Sequence, residues 1–576
     1  MSRSLPPRRV GKIYLSSTWL TRCYIGVVLT IAGLVATPVL VVLSHIFGAS
    51  AAAWQHLAQT VLLGYVLNSL QLILGVGFGT AVLGIGTAWC VTLCRFPGRH
   101  IFEWALLLPL AVPAYVLAYT YTDFLDVAGP VQTLLRDRLS LSVQQYWFPE
   151  IRSVGGAIAM LTLALYPYLY MLAKVAFLEQ ARNTLEASRA LGSSPWRSFW
   201  AIALPLARPS IIAGLSLVLM ETLSDFGTVQ YFSVDTFTTG IYRTWSGMGD
   251  PATATQLSAV LLLGILGLIV LEQWSRGHAR YYQNGSQHSE PLYFVLRGVK
   301  AWLAVLLCAL PLTLGFLLPV TLLSMMAFRY ASANLTPDFW GFAANSLTLS
   351  LSAGAITVVL AITLAYSLRL YPTKLLRTAG RVAAMGYAIP GSVIAVGISI
   401  PLGWVANMVN RTSLSLWGTQ AGWVLSGTVG ALIFAYVVRF LAVSFNTVEA
   451  SLSKIKPTLD DASRSLGCSP TATLTKVHVP LMWSGLLTAM VLCFVDIMKE
   501  LPATLMIRPF NFDTLAVRVY RLASDERLAE AAGPSLAIVV VGLIPVLLLS
   551  LRITRGRDRP TAESATPYSH RPKTAL

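Results

Sequence analysis

Charge is scarce in this chain: Asp, Glu, Lys and Arg make up 12% of its 576 residues, while 55% are hydrophobic. A soluble domain carries about a quarter charged residues, so this composition excludes a water-soluble fold for most of the length. Acids are scarcer than bases, 25 against 42, for a net charge of +17. The bases lie in short clusters between apolar runs instead of on one face, which removes nucleic acid as a partner and makes them markers of membrane orientation. Cysteine is rare too. Cys23, Cys90, Cys94, Cys308, Cys468 and Cys493 form no CxxC pair and mostly lie in or beside apolar runs, so neither a disulfide framework nor a zinc site is implied. No GxxxxGK[ST] phosphate loop occurs, since Gly11-Lys12 lacks the upstream glycine and the following hydroxyl residue, and the seven histidines form no HExxH. An ATPase site and a membrane metalloprotease are thereby excluded, and no catalytic constellation remains.

Long apolar runs are what the chain has in abundance. A helix needs about 20 apolar residues to cross a bilayer, and candidate spans fall near 23–46, 66–93, 101–124, 154–177, 201–223, 256–274, 300–327, 345–368, 381–406, 421–445, 480–498 and 534–551. The first run, preceded by Arg8, Arg9 and Lys12, is too long for a signal peptide and reads as an uncleaved span. With both termini in the cytoplasm, 31 of the 42 Lys and Arg lie in or beside cytoplasmic segments and 11 in outer ones, as the positive-inside rule requires. The expected fold is therefore all-α and membrane-integral. Its divisions are a cytoplasmic segment 1–22, six helices over 23–274, a cytoplasmic linker 275–299, six helices over 300–551, and a basic tail 552–576 that reads as disordered. The outer stretches 125–153, 224–255, 328–344 and 499–533 are long for connections and could receive a partner.

The two sets of six are copies of each other. Asn68-Ser69-Leu70 matches Asn345-Ser346-Leu347, and Ala111-Val112-Pro113 matches Ala388-Ile389-Pro390, both 277 residues apart. Gly192 pairs with Gly467 and Pro205 with Pro480 at 275, while Asp235-Thr236 and Tyr242 pair with Asp513-Thr514 and Tyr520 at 278. Six spans separate the copies, so the repeat is parallel, which disfavours the inverted-repeat secondary carriers.

Between the fourth and fifth spans the first copy reads Glu186-Ala187-Ser188, three residues, Gly192, nine residues, then Ile202-Ala203-Leu204-Pro205. The second reads Asp461-Ala462-Ser463, three residues, Gly467, nine residues, then Val477-His478-Val479-Pro480. A glycine there permits a sharp turn and the approach of another backbone, and the proline starts the next helix. This pattern resembles the EAA loop of binding-protein-dependent ABC importer permeases, with Ser188 for the second alanine and Asp461 for the first acid. In that family the loop couples the permease to a cytoplasmic ATPase, so the resemblance implies type I importer architecture, a pair of ABC ATPase subunits carrying ATP and Mg, and no cofactor in this chain.

Acids cluster at the outer end of each fifth span: Glu221 and Asp225 in one copy, Asp496 and Glu500 in the other. Each pair is spaced i, i+4, which puts both carboxylates on one face of a continuous helix. A charge at the centre of the hydrocarbon costs on the order of 3 kcal/mol. Two readings stay open: the acids line the outer part of a cation pathway, or they sit at the membrane surface, solvated or paired with Lys499. A weak ring suits conduction better than a tight site, because the path must release its ion.

The stretches from Glu221 to Phe232, from Asp496 to Leu505 and from Phe512 to Arg527 resemble ferric-iron permeases of this superfamily. The resemblance implies ferric iron as cargo, an external ferric-binding protein docking on the outer loops, a bacterial inner-membrane location, and alternating access driven by the ATPase pair. Thiamine and phosphonate permeases share the fused layout; an ion-coupled carrier would lack the doubled loop. Tyr115, Tyr119 and Tyr121 could offer oxygen to a ferric ion, but at a span end they belong to the interfacial aromatic belt. The glycines at 75, 77, 79, 84 and 86 read as a close helix-packing face.

Overall fold

The computed structural model describes residues 18–46, 51–180, 195–276, 294–334, 336–417 and 424–555, together with 419 and 422. The first copy contributes α1 (Thr18–Ser44), α2 (Leu62–Leu93), α3 (Ala114–Leu125), α4 (Val154–Gln180), α5 (Phe199–Ser224) and α6 (Pro251–Arg276). The second contributes α7 (Val299–Arg329), α8 (Pro337–Leu370), α9 (Lys374–Ala383), α10 (Gly391–Trp417), α11 (Val429–Ser453), α12 (Pro457–Ser465), α13 (Trp483–Met498) and α14 (Leu528–Arg555). Among the described residues ten helices are long and apolar enough to cross a membrane, and counting two sharply bent pairs as spans gives twelve. A two-residue parallel ladder, β1 (Cys94–Arg95) with β2 (Phe294–Val295), ties the turn after α2 to the chain entering the second copy.

The copies are interleaved. α1 packs on the second copy: Tyr24 lies against Tyr371 and His45 stacks on Trp404 of α10, with ring centroids 6.1 and 5.9 Å apart. α7 packs on the first, where the Tyr121 hydroxyl donates to the Leu314 carbonyl at 2.7 Å. The buried apolar residues accordingly form two clusters, each drawn from both copies. One joins Leu72, Leu117, Leu161 and Phe177 to Cys308, Leu312 and Val539; the other joins Val28, Val35 and Leu262 to Leu349, Ile394 and Leu441. The glycine face of α2 closes on α4, for a Cβ on Gly79 would stand 2.8 Å from Thr162 and one on Gly84 3.1 Å from the Tyr170 amide. Close approach of that kind is what small residues provide where lipid supplies no hydrophobic drive between helices.

Two expected spans are not single helices. The stretch expected at 101–124 turns through 90° at Val112-Pro113, between Arg99–Ala111 and Ala114–Leu139. Pro113 supplies φ −59° and ψ 144°, an extended step that ends one helix and caps the next. Its repeat partner Pro390 directly precedes α10, and α9 stands apart as an amphipathic helix, so the span expected at 381–406 begins at Gly391. The span expected at 480–498 bends by 78° at Met482, whereas its counterpart α5 runs unbroken through Pro205 and Pro209. Both fifth spans open with a π-helical turn, Phe199–Ala203 and Leu474–His478, 275 residues apart.

Candidate functional site

The fifth spans stop short of their second acids. α5 ends at Ser224 and α13 at Met498, so Asp225 and Glu500 stand beyond the helices and the expected shared face of each i, i+4 pair does not form. Each instead caps the short helix that follows. Asp225 accepts hydrogen bonds from the amides of Thr228 and Val229 and from the Thr228 hydroxyl, all at 3.1 Å. Glu500 accepts from the Ala503 amide at 3.2 Å. Carboxylates at helix starts satisfy otherwise orphaned amides.

All four acids nevertheless meet at one cavity of about 140 Å³ between the copies. Its wall includes Glu221, Asp225, Asp496 and Glu500, two bases, Arg439 and Lys499, and three phenols, Tyr115, Tyr168 and Tyr387. The reading of the acids as solvated surface residues is overturned by this enclosure, although its proposed Lys499 pairing does occur: Lys499 Nζ stands 2.9 Å from Asp496 Oδ1. Arg439 Nε stands 3.3 Å from Glu500 Oε2 with both side chains under 10% exposed, and its Nη1 donates to the Ile389 carbonyl at 3.2 Å. Glu221 is hydrogen-bonded by Tyr387, which also bonds Tyr168. Fully ionised, four acids and two bases leave the wall with a net charge of −2. Tyr115 and Tyr119 are buried in the protein, not set in an interfacial belt. The break at Pro113 turns them inward, and Tyr119 meets Tyr231 edge-on at 4.5 Å.

Arg439 went unnoticed among the bases assigned to membrane flanks. The signal was there: a lone arginine within an apolar run seeks an intramembrane partner.

The repeat is visible in hydrogen bonds as well as in spacing. Asn68 Nδ2 donates to the Asp235 carbonyl at 2.8 Å, and Asn345 Nδ2 to the Asp513 carbonyl at 3.0 Å. Arg243 pairs with Asp235 at 2.6 Å, and Arg521 with Asp513 at 2.7 Å. Phe226 lies between the matched tyrosines, with centroids 4.9 Å from Tyr242 and 5.7 Å from Tyr520.

Of the cytoplasmic motif, Glu186, Ala187, Ser188 and Gly192 fall outside the described residues, while Pro205 lies in the first α-helical turn of α5. The second copy is described in full. Asp461, Ala462 and Ser463 lie on α12, which ends in a left-handed Gly467 with φ +78°. The Cys468 amide bonds the Ser463 carbonyl at 3.1 Å and the Gly467 amide the Arg464 carbonyl at 2.9 Å, the two bonds of a Schellman stop. Ser469 then caps the turn Pro470–Thr473, and Ser463 Oγ meets Thr473 Oγ1 at 2.8 Å. Asp460 holds this elbow to the bundle through Arg369 Nε at 2.8 Å and His478 Nε2 at 2.6 Å. Arg369 also donates to the Leu452 and Ile455 carbonyls at 2.6 and 2.9 Å. Leu466, 83% exposed, stands at the tip, and Pro480 follows on the far side.

Residues 80–275 and 357–555 match the binding-protein-dependent transport system inner membrane component family. The chain belongs to that family. As a multi-pass inner membrane component it carries the family domain twice. It is 28% identical over 486 residues to the Fe(3+)-transport system permease protein FbpB 2 of Haemophilus influenzae, covering 84% of this chain and 88% of the relative. It is 25% identical to the ferric transport system permease protein FbpB of Actinobacillus pleuropneumoniae, over 85% of this chain and 71% of that one. The molybdenum transport system permease protein ModB of Escherichia coli is 28% identical, but over 38% of this chain and 93% of its own length.

Proposed function

We propose that this chain is the fused permease subunit of an ATP-driven importer that carries ferric iron inward by alternating access. A binding protein delivers the cation at the outer loops. Two ABC ATPase subunits, which hold ATP and Mg, drive the cycle from the side of the EAA elbows. The chain itself performs no hydrolysis and holds no cofactor. It sits in a bacterial inner membrane with both termini in the cytoplasm, as the 31-to-11 distribution of bases favours.

The observation that carries the cargo assignment is the convergence of four acids, two from each copy, on one cavity with net charge −2. Oxygen-rich walls suit a hard cation and repel an oxyanion such as molybdate. Likeness along the whole fused length runs to ferric permeases, while likeness to the molybdenum permease covers one copy's length. Docking of an ATPase is supported by the stiff, left-handed elbow at Gly467 and by the apolar Leu466 presented beside it.

The test is uptake of radiolabelled ferric iron, with labelled thiamine in parallel, into iron-starved cells carrying the wild-type chain or Glu221→Gln. Glu221 bears no cap or ion-pair duty of its own, so the variant is expected to insert normally and lose at least about tenfold in iron uptake, as removal of one interaction worth roughly 1.4 kcal/mol gives. Unchanged iron uptake, or loss of thiamine uptake alone, would discard ferric iron as the cargo.

A further inference from the structure

A second and larger cavity, of about 470 Å³, opens between α8, α9 and α11 at the end of the bundle that carries the second elbow. Three arginines line it, Arg369, Arg377 and Arg381, with Glu449 and Asn446 opposite and Leu368, Phe445 and Leu452 as its apolar wall. Arg369 is taken up by Asp460 and two carbonyls. Arg377 and Arg381 lie exposed on one face of α9, one turn apart, with no acid partner among the described residues. The opposite face of α9, Leu376, Ala379, Gly380 and Ala383, is buried, and Thr373 caps its start. A short amphipathic helix with a basic outer face lies in the plane of a membrane interface.

We infer that this cavity is a binding site for an anionic phospholipid, whose phosphate sits between Arg377 and Arg381 while its acyl chain lies along Leu368 and Phe445. Guanidinium groups recognise phosphate through paired N–H donors, and an adjoining apolar wall suits a chain that a free anion lacks. The site belongs to the second copy alone. At the first copy's matching positions, 277 residues earlier, stand His100, Trp104 and, in place of Gly380, Glu103. Glu103 is ion-paired with Lys174 at 3.2 Å, both largely buried, and accepts at its carbonyl the Tyr170 hydroxyl at 2.8 Å. A bound lipid would stiffen the junction of α8, α9 and α11 from which Arg369 grips the elbow.

The test is native mass spectrometry of the full-length chain released from nanodiscs of phosphatidylcholine with or without phosphatidylglycerol. Wild type is expected to retain phosphatidylglycerol. Each arginine near an anionic headgroup contributes about fivefold in affinity, so R377Q/R381Q should weaken retention roughly 25-fold. Lys374 is on the same helix but off the cavity wall, so K374Q should leave retention unchanged. Glu449 opposes the phosphate, so E449Q should strengthen retention by about fivefold. Equal loss in K374Q would mean general surface attraction and overturn the site, as would undiminished retention in R377Q/R381Q. Displacement of the lipid by inorganic phosphate at matched concentration would show that the acyl chain contributes nothing and overturn the lipid assignment.

Discussion

The two copies share their backbone plan and their acids but not their cations. Along the central cavity Glu221 and Asp225 face Asp496 and Glu500 at the 275-residue offset. The same offset sets Ala164 against Arg439 and Ser224 against Lys499, while the 277 offset sets Leu110 against Tyr387, and all six line the cavity. Duplication therefore supplied a symmetric acidic ring, and one copy acquired bases that occupy its own two acids. The elbows differ in the same direction. Where the second copy anchors its elbow through Arg369, Asp460 and His478, the first has Thr92, Leu185 and Ala203. The fifth span that carries His478 is the one bent at Met482. One copy is thus bound by charge to its elbow and its share of the cavity, and the other keeps in Glu221 an acid with no ion pair, which marks it as the side first met by an incoming cation.

The harshest way to break this contrast is to give the second copy the first copy's residue at Arg439. Arg439→Ala leaves Glu500 buried with a backbone amide but no counter-charge. Removing one partner of a buried pair costs about 3 to 5 kcal/mol. Denaturant unfolding in detergent should show a loss of that size, and adding Glu500→Gln should recover most of it. A loss below about 1 kcal/mol would mean that the pair is solvent-screened and the cavity wetter than its burial indicates.

A milder break falls at the second elbow. Gly467 holds φ +78°, yet a Cβ there would meet nothing within 4 Å, so the cost of Gly467→Val is backbone strain alone. A left-handed residue with a side chain costs about 1 to 2 kcal/mol, and a β-branched one is worse placed than most. The strain should be relieved by unwinding the Schellman stop, leaving the permease inserted but its ATPase partner uncoupled. Transport-dependent ATP turnover in the assembled complex should fall, and wild-type turnover would detach the elbow from coupling.

How much of this was legible in the sequence follows from what each signal encodes. Twelve apolar runs and a constant offset report span number and duplication because both are properties of the chain taken in order. Broken helices were half visible. Ala111-Val112-Pro113 and Ala388-Ile389-Pro390 served as repeat markers, although a proline within an apolar run also signals a break. The interleaving of α1 and α7 with the opposite copies left no trace, since hydropathy states that a helix is buried in lipid or protein and not which helix it touches. The acids were found by their cost in a membrane, but their division into caps and paired residues depended on where α5 and α13 end, and helix ends are the weakest part of a pattern reading. The Asp460 tether was hidden because its partners Arg369 and His478 lie 91 and 18 residues away.

The gentlest test concerns a place where the copies agree. Asn68 and Asn345 make the same side-chain bond to the carbonyls of Asp235 and Asp513, at 2.8 and 3.0 Å, each holding the chain after the fifth span against the second span of its own copy. A neutral hydrogen bond of this kind contributes about 1 kcal/mol, and its loss leaves a carbonyl that a salt-bridged aspartate does not rescue. Asn68→Ala and Asn345→Ala should therefore each lower stability by about 1 kcal/mol, and the double variant by the sum, because the sites share no partner. Equal and additive losses would place the symmetry in the scaffold and the asymmetry in the charges alone. A clearly larger loss at Asn345, whose Asp513 also holds Arg508 and Arg521, would extend the second copy's charge network to the outer loops and make the scaffold itself unequal.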